Sequence, residues 1–148
     1  MAFRLVRGVG INVEPTVVSV YASGCIWPGS VVDNPCFMVT ANGGYVQAAA
    51  STSTGTSIFG VSLDYCQGRS DTMIKVIPIV PGQLWEADCT NNTNTAHILS
   101  RHRLTNSLTL ANTGVDYSSV TGIFMAYNVT GATGDNKILG TFLKSSYN

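Results

Sequence analysis

The stretch Ser57-Ile58-Phe59-Gly60-Val61-Ser62-Leu63-Asp64 decides the fold class. Phe59, Val61 and Leu63 fall on one side of an extended chain, and Ser62 and Asp64 fall on the other. That is the period of two of a half-buried strand. Ile123, Met125 and Tyr127 alternate with Phe124 and Ala126 in the same way. Working outward, short runs of β-branched and aromatic residues bounded by Gly, Pro, Asn and Ser/Thr give candidate strands at 16–22, 36–40, 44–49, 57–64, 72–79, 83–89, 122–128 and 136–143. The chain therefore reads as all-β, a single-domain β-barrel, β-tulip or sandwich of about eight strands.

The punctuation between these runs is equally legible. Asn42-Gly43-Gly44 is a tight hairpin signal, 131–136 is a longer hairpin loop, and 91–95 is a polar loop. Residues 96–103 suit a helical turn with Thr95 as N-cap, or else a strand over 96–100. The small-residue tract 48–57 suits a surface loop or a closely packed strand edge. Gly60 and Gly140 lie inside strands, where a missing Cβ marks a bulge or a barrel corner, and both are expected to be bend points. Pro78 lacks a ladder donor and is expected beside an edge or a bulge. Residues 1–15 read differently. Phe3, Leu5, Val6, Val9 and Ile11 are apolar but precede Glu14-Pro15 with no evident partner, so an extended N-terminal arm is expected ahead of a β-barrel domain at 16–148.

Composition narrows the function. Among 148 residues, 8 Lys and Arg balance 8 Asp and Glu, and 11% are charged, where about 25% is usual. The polar surface must instead come from 16 Thr, 14 Ser and 11 Asn. Scattered cations without net charge give little electrostatic drive toward nucleic acid. Near-zero charge also protects a free monomer poorly against association, which suits a component of an assembly, a homo-oligomer. Residues 1–7 are followed by no unbroken apolar stretch with a cleavage site, and no run approaches the ~18 apolar residues of a membrane span. Synthesis in the cytosol, with no membrane partner, is expected.

Groups suited to chemistry are sparse. His97 and His102 are five apart, which is not the i, i+4 spacing of one helical face. Glu14 and Glu86 are the only glutamates; Glu86 and Asp88 share a strand face, a weak hint of paired carboxylates. Asp135-Asn136 lacks the continuation of a calcium loop, and Gly8-Val9-Gly10 opens no helix. Cys25, Cys36, Cys66 and Cys89 contain no C-x-x-C pair and read as buried free thiols, with a Cys25–Cys36 bridge left open. Neither a metal nor a cofactor is expected, nor an enzyme. Trp27 and Trp85 stand in apolar company and suit a core or an oligomer interface, with sugar stacking as the alternative.

Several stretches resemble the small all-β decoration, or cement, proteins on capsids of tailed bacteriophages, marine podophage-like ones especially. They are 27–32 (WPGSVV), 57–62 (SIFGVS), 72–86 (TMIKVIPIVPGQLWE), 115–119 (VDYSS) with 122–124, and 137–143 (KILGTFL), covering about residues 27 to 145. The resemblance implies a β-barrel or β-tulip body, a trimeric or dimeric state on the outer capsid surface of the virion, and the major capsid protein as partner; a trimer is favoured. It transfers no catalytic residues. On that reading Phe3, Arg4, Leu5 and Arg7 of the arm are the expected capsid contacts, with Arg able to pair bidentately with carboxylates. Removing residues 1–12 is expected to leave the barrel folded. A glycan-binding β-sandwich module, or a head-fibre or tail-associated protein, is the alternative.

Overall fold

The computed structural model describes residues 3–7, 16–22, 37–64, 72–80, 82–93, 95–112, 121–130 and 136–143. Among the described residues there are ten strands: β1 (Phe3–Arg7), β2 (Val18–Ala22), β3 (Phe37–Asn42), β4 (Tyr45–Ala48), β5 (Ile58–Ser62), β6 (Thr72–Pro78), β7 (Leu84–Asp88), β8 (Arg101–His102), β9 (Phe124–Thr130) and β10 (Lys137–Phe142). Strands β2-β4-β3-β5-β6 close a small barrel, and β1-β7-β10-β9-β8 form a separate five-stranded sheet. The 96–103 stretch resolves into one 3-10 turn at Thr95–His97 followed by β8.

Two apolar clusters explain this division. Val39, Val46, Ile74 and Val76 fill the barrel with Ala22, and Val18, Val20 and Phe59 pack against them. Met38, Ile58, Val61, Ile77 and Ile79, from the wall β3–β5–β6 and just past it, join Phe3, Trp85, Ala87, Phe124, Ala126, Ile138 and Phe142 of the sheet in a second cluster. Alternation makes both possible. Ile74 and Val76 point into the barrel, whereas Met73 and Lys75 point out to solvent and Ile77 points out against the sheet.

The expectations at 42–44, Gly60, Gly140 and Pro78 are met in detail, whereas the expected hairpin loop at 131–136 lies, but for Asn136, outside the described residues. Asn42 pairs with Tyr45 across Gly43 (φ 54°) and Gly44 (φ 91°), the left-handed two-residue loop that glycine favours. Gly60 pairs with Val39, but the next pair is Thr40 with Ile58, so Phe59 is the extra residue of a bulge. Gly140 pairs with Ala126 while Leu139 pairs with Asn128, which leaves Tyr127 as the extra residue in β9. At both glycines a Cβ would collide with backbone, against the Ile77 carbonyl at Gly60 and the Met125 carbonyl at Gly140. Pro78 pairs with Gly60 at the end of β6, past Val76, the last β6 residue to meet β2, so its missing N–H leaves no ladder bond unmade.

Three expectations are corrected. Residues 3–7 are not a free arm: they add β1 to the sheet, with Phe3 opposite Ala87, Arg4 opposite Glu86 and Leu5 opposite Trp85. Phe3 is 1% exposed, because its ring fits against Phe142 at 6.0 Å. Removing residues 1–12 therefore opens the core. Ser62, expected on a solvent face, is fully buried and donates to the Asp64 carbonyl at 2.6 Å, because it pairs with Val76 on the barrel side of β5 while Val61 and Leu63 pack on the sheet side, so both faces of the strand are covered; the bulge sends Phe59 to the barrel side, away from Val61 and Leu63.

Replacing Phe3 by Ala removes a ring from a closed cluster and is expected to cost about 3–5 kcal/mol. Gly140→Ala forces β9 from β10 and is expected to cost about 1–3 kcal/mol. Urea unfolding followed by circular dichroism checks both, and Gly43→Asn, in an open turn, serves as the mild control.

Candidate functional site

The sheet has two unlike faces. Along β7 and β10 every second residue, Trp85, Ala87, Ile138, Gly140 and Phe142, is buried toward the barrel, and their neighbours Leu84, Glu86, Asp88, Lys137, Leu139 and Thr141 form a half-buried outer face. One row of this face runs Arg4, Glu86, Leu139, Asn128, and the next includes Thr141, Met125 and Arg101, each residue opposite its neighbour in the register. The centre of the face is thus apolar, with Leu84, Leu139 and Met125, and an arginine stands on each edge strand.

The β9 bulge adds the feature that simple alternation misses. Bulges re-aim side chains, and this one leaves Tyr127 at 49% exposure. Tyr127, Leu84, Thr141, Phe142 and Leu143 are among the residues bordering an open cleft of about 270 Å³. Leu143 is 39% exposed.

Charge on this face is largely paired. Arg4 meets Glu86 twice, Nη2 to Oε2 at 3.2 Å and Nε to Oε1 at 3.3 Å, and Lys137 meets Asp88. Glu86 and Asp88 do share a face, as their spacing suggests, but each carboxylate is taken up by its own cation rather than facing the other. Arg101 has no acidic partner among the described residues.

The remaining sequence candidates fall elsewhere. Trp85 is 1% exposed, with Nε1 donating to Gln83 Oε1 at 3.2 Å and its ring edge-on to Phe142 at 5.9 Å; it is core, not an oligomer interface. Gln83 holds it there, since its amide also donates to the Pro78 carbonyl and accepts from the Val80 N–H. Phe3, likewise core, offers no side chain to a capsid. Arg4 is exposed and Leu5 is half-buried against the core. Arg7 is placed by its backbone opposite Leu84, and Trp27 lies outside the described residues, as do Cys25, Cys36 and Cys66.

His97 and His102 pack edge-on with ring centroids 5.9 Å apart. His102 is 1% exposed, and its ring nitrogens lie 3.0 Å from the Ala111 carbonyl and 3.2 Å from the His97 carbonyl. It ties the 3-10 turn to the 103–111 segment, a structural role. No three His, Cys, Asp or Glu side chains gather as a metal site among the described residues. A second exposed apolar group lies on the barrel, where Tyr21 of β2 packs at a tilt on Tyr45 at 6.3 Å and pairs with Met73 of β6. It adjoins the parallel seam of β2 and β4, whose register holds the single pair Ala22 and Val46.

Comparison of the chain with family models, with curated proteins and with solved structures finds no match.

Cys89 is a buried free thiol. Burial, and secondarily the neighbouring Asp88 carboxylate, pushes it up from 9.0 to about 12. A thiol raised in the folded state stabilises fully below its unfolded value, and that contribution declines as pH rises from 9.0 toward about 12. Native protein is therefore expected to leave Cys89 unmodified by a thiol-specific reagent at pH 8 while urea-unfolded protein reacts at once; mass spectrometry of the Cys89 peptide reads the difference.

Proposed function

We propose that this protein is a virion structural component that decorates and stabilises the outer capsid surface by binding the major capsid protein through the outer face of its β1-β7-β10-β9-β8 sheet. The observation that carries the reading is the composition of that face. Leu84, Met125, Tyr127, Leu139 and Leu143 form an apolar centre, and Arg4 and Arg101 stand at opposite edges. Aromatic residues, Met and Arg are the types enriched where proteins meet. The cleft beside Tyr127 gives a partner side chain somewhere to lodge, and such filled pockets at a patch centre hold a large share of binding energy.

The mechanism is mechanical. A standard contact buries about 1,200–2,000 Å², and many copies bridging neighbouring capsomers resist outward pressure with no reaction. Homo-oligomerisation, with a trimer favoured, multiplies each weak contact by effective concentration. Arg4 already shares its guanidinium with Glu86, so Arg101 is the rim arginine open to a capsid carboxylate. The low charge of the chain, 11% of residues, fits a molecule that spends its working life surrounded by neighbours.

Tyr127→Asp combined with Leu143→Asp places two charges in the exposed centre without touching the core, so stability is expected to change by only about 0.5 kcal/mol. Mass spectrometry and electron microscopy of particles purified from cells producing the chain test the reading. Wild type is expected at fixed positions on the outer lattice and the double variant is expected to be missing. Particles lacking the wild-type chain, or carrying the variant at full occupancy, would overturn the proposal.

A further inference from the structure

A second cleft, of about 310 Å³, shares no lining residue with the cleft beside Tyr127 and is bordered by Ser51, Thr90, Arg103, Leu104, Thr105 and Ala111. Three pieces of chain converge on it. The 103–111 segment folds back on itself through Leu104 opposite Leu110, Asn106 bridges to Ala50 beside Ser51, and Cys89 bridges to Leu110 beside Thr90. The backbone is pinned there by Ala111 N–H to the Arg103 carbonyl at 2.8 Å and by Thr90 N–H to the Leu110 carbonyl at 3.0 Å. The cleft is therefore shaped by fixed backbone.

Its lining chemistry is one-sided. Arg103 is exposed and has no acidic partner among the described residues, and no carboxylate borders the cleft. Thr90 Oγ1 donates to the Leu110 carbonyl at 2.9 Å, so the 3.1 Å contact between the two threonine hydroxyls is one in which Thr105 donates. Lone pairs on Thr105 and the hydroxyl of Ser51 remain for a ligand. Ala111 adds a small apolar patch, and the buried Leu104 backs the cleft from the core side. One guanidinium, several hydroxyls and a small apolar patch match a compact ligand bearing one carboxylate and several hydroxyls. The volume is at the low end of ligand sites, which run about 300–1,000 Å³.

We propose that this cleft binds a single uronic-acid sugar unit, its carboxylate forked on Arg103 and its hydroxyls on Ser51 and Thr105. The site shares no lining residue with the cleft on the sheet face and does not depend on the capsid reading. Nuclear magnetic resonance titration of the labelled full chain with glucuronate tests it. Saturable shifts are expected at the amides of Ser51, Thr90, Arg103 and Thr105, with the outer sheet face unmoved. Methyl glucoside, which lacks the carboxylate, and acetate, which lacks the hydroxyls, are expected to bind more weakly. Arg103→Gln is expected to weaken glucuronate by about 10- to 100-fold, the worth of a hydrogen bond to a charged group, with the rest of the spectrum unchanged. Absence of shifts, equal binding by acetate or methyl glucoside, or undiminished binding by Arg103→Gln would overturn the proposal. Because Arg103→Gln leaves the sheet face intact, its retention on particles separates failure of this site from failure of the capsid contact.

Discussion

Phe142 is the residue on which the sheet depends. Its ring meets Phe124 at 5.0 Å, Trp85 at 5.9 Å and Phe3 at 6.0 Å, so four strands, β1, β7, β9 and β10, contribute to one aromatic cluster. Aromatic groups in tilted or edge-on contact gain beyond their burial, and this cluster lies against the barrel residues Met38, Ile58, Val61 and Ile77. Once the cluster fixes the inner face, the period of two leaves no choice about the other side. Leu84, Glu86, Leu139 and Thr141 must look outward because Trp85, Ala87, Ile138 and Phe142 look inward.

The bulges are what make the surface more than a by-product. At Phe59 the extra residue turns an aromatic ring toward the barrel interior and helps a five-strand closure. At Tyr127 it turns a ring toward solvent beside the cleft. Both sit across from or next to a glycine whose missing side chain lets backbone approach backbone. One device thus shapes the core of one layer and the exposed face of the other.

Local signals were legible because they act locally. Eight strands followed from alternation and turn residues, and the Asn42-Gly43-Gly44 hairpin followed from the left-handed geometry only such residues accept readily. What escaped depends on distance along the chain. The partner of Phe3 is Ala87, and no pattern within residues 1–15 announces it, so an apolar edge strand reads as an unattached arm. Trp85 was half legible: its apolar company suits a core or an interface, and what decides for the core is distant in the chain, since its indole N–H is satisfied by Gln83, two residues away, but its ring packs on Phe142. Strand β8 has two residues and no period to detect. Tyr127 belongs to a regular alternation on paper, and only the register shift opposite Leu139 and Gly140 shows where it is exposed. The edge arginines were half legible, since Arg4 stood out beside apolar residues whereas Arg101 gained meaning only when β8 was seen to border β9.

The account rests on one surface acting as the contact, and the molecule supplies its own control in the Tyr21, Tyr45 and Met73 group on the barrel. Hydroxyl-radical footprinting of the chain, free and on purified particles, measures both at once. Strong protection of Met125, Tyr127 and Leu143 on particles, with Tyr21, Tyr45 and Met73 modified as in the free chain, is the predicted result. Equal modification of Met125, Tyr127 and Leu143 in the two states would contradict the assignment of the sheet face.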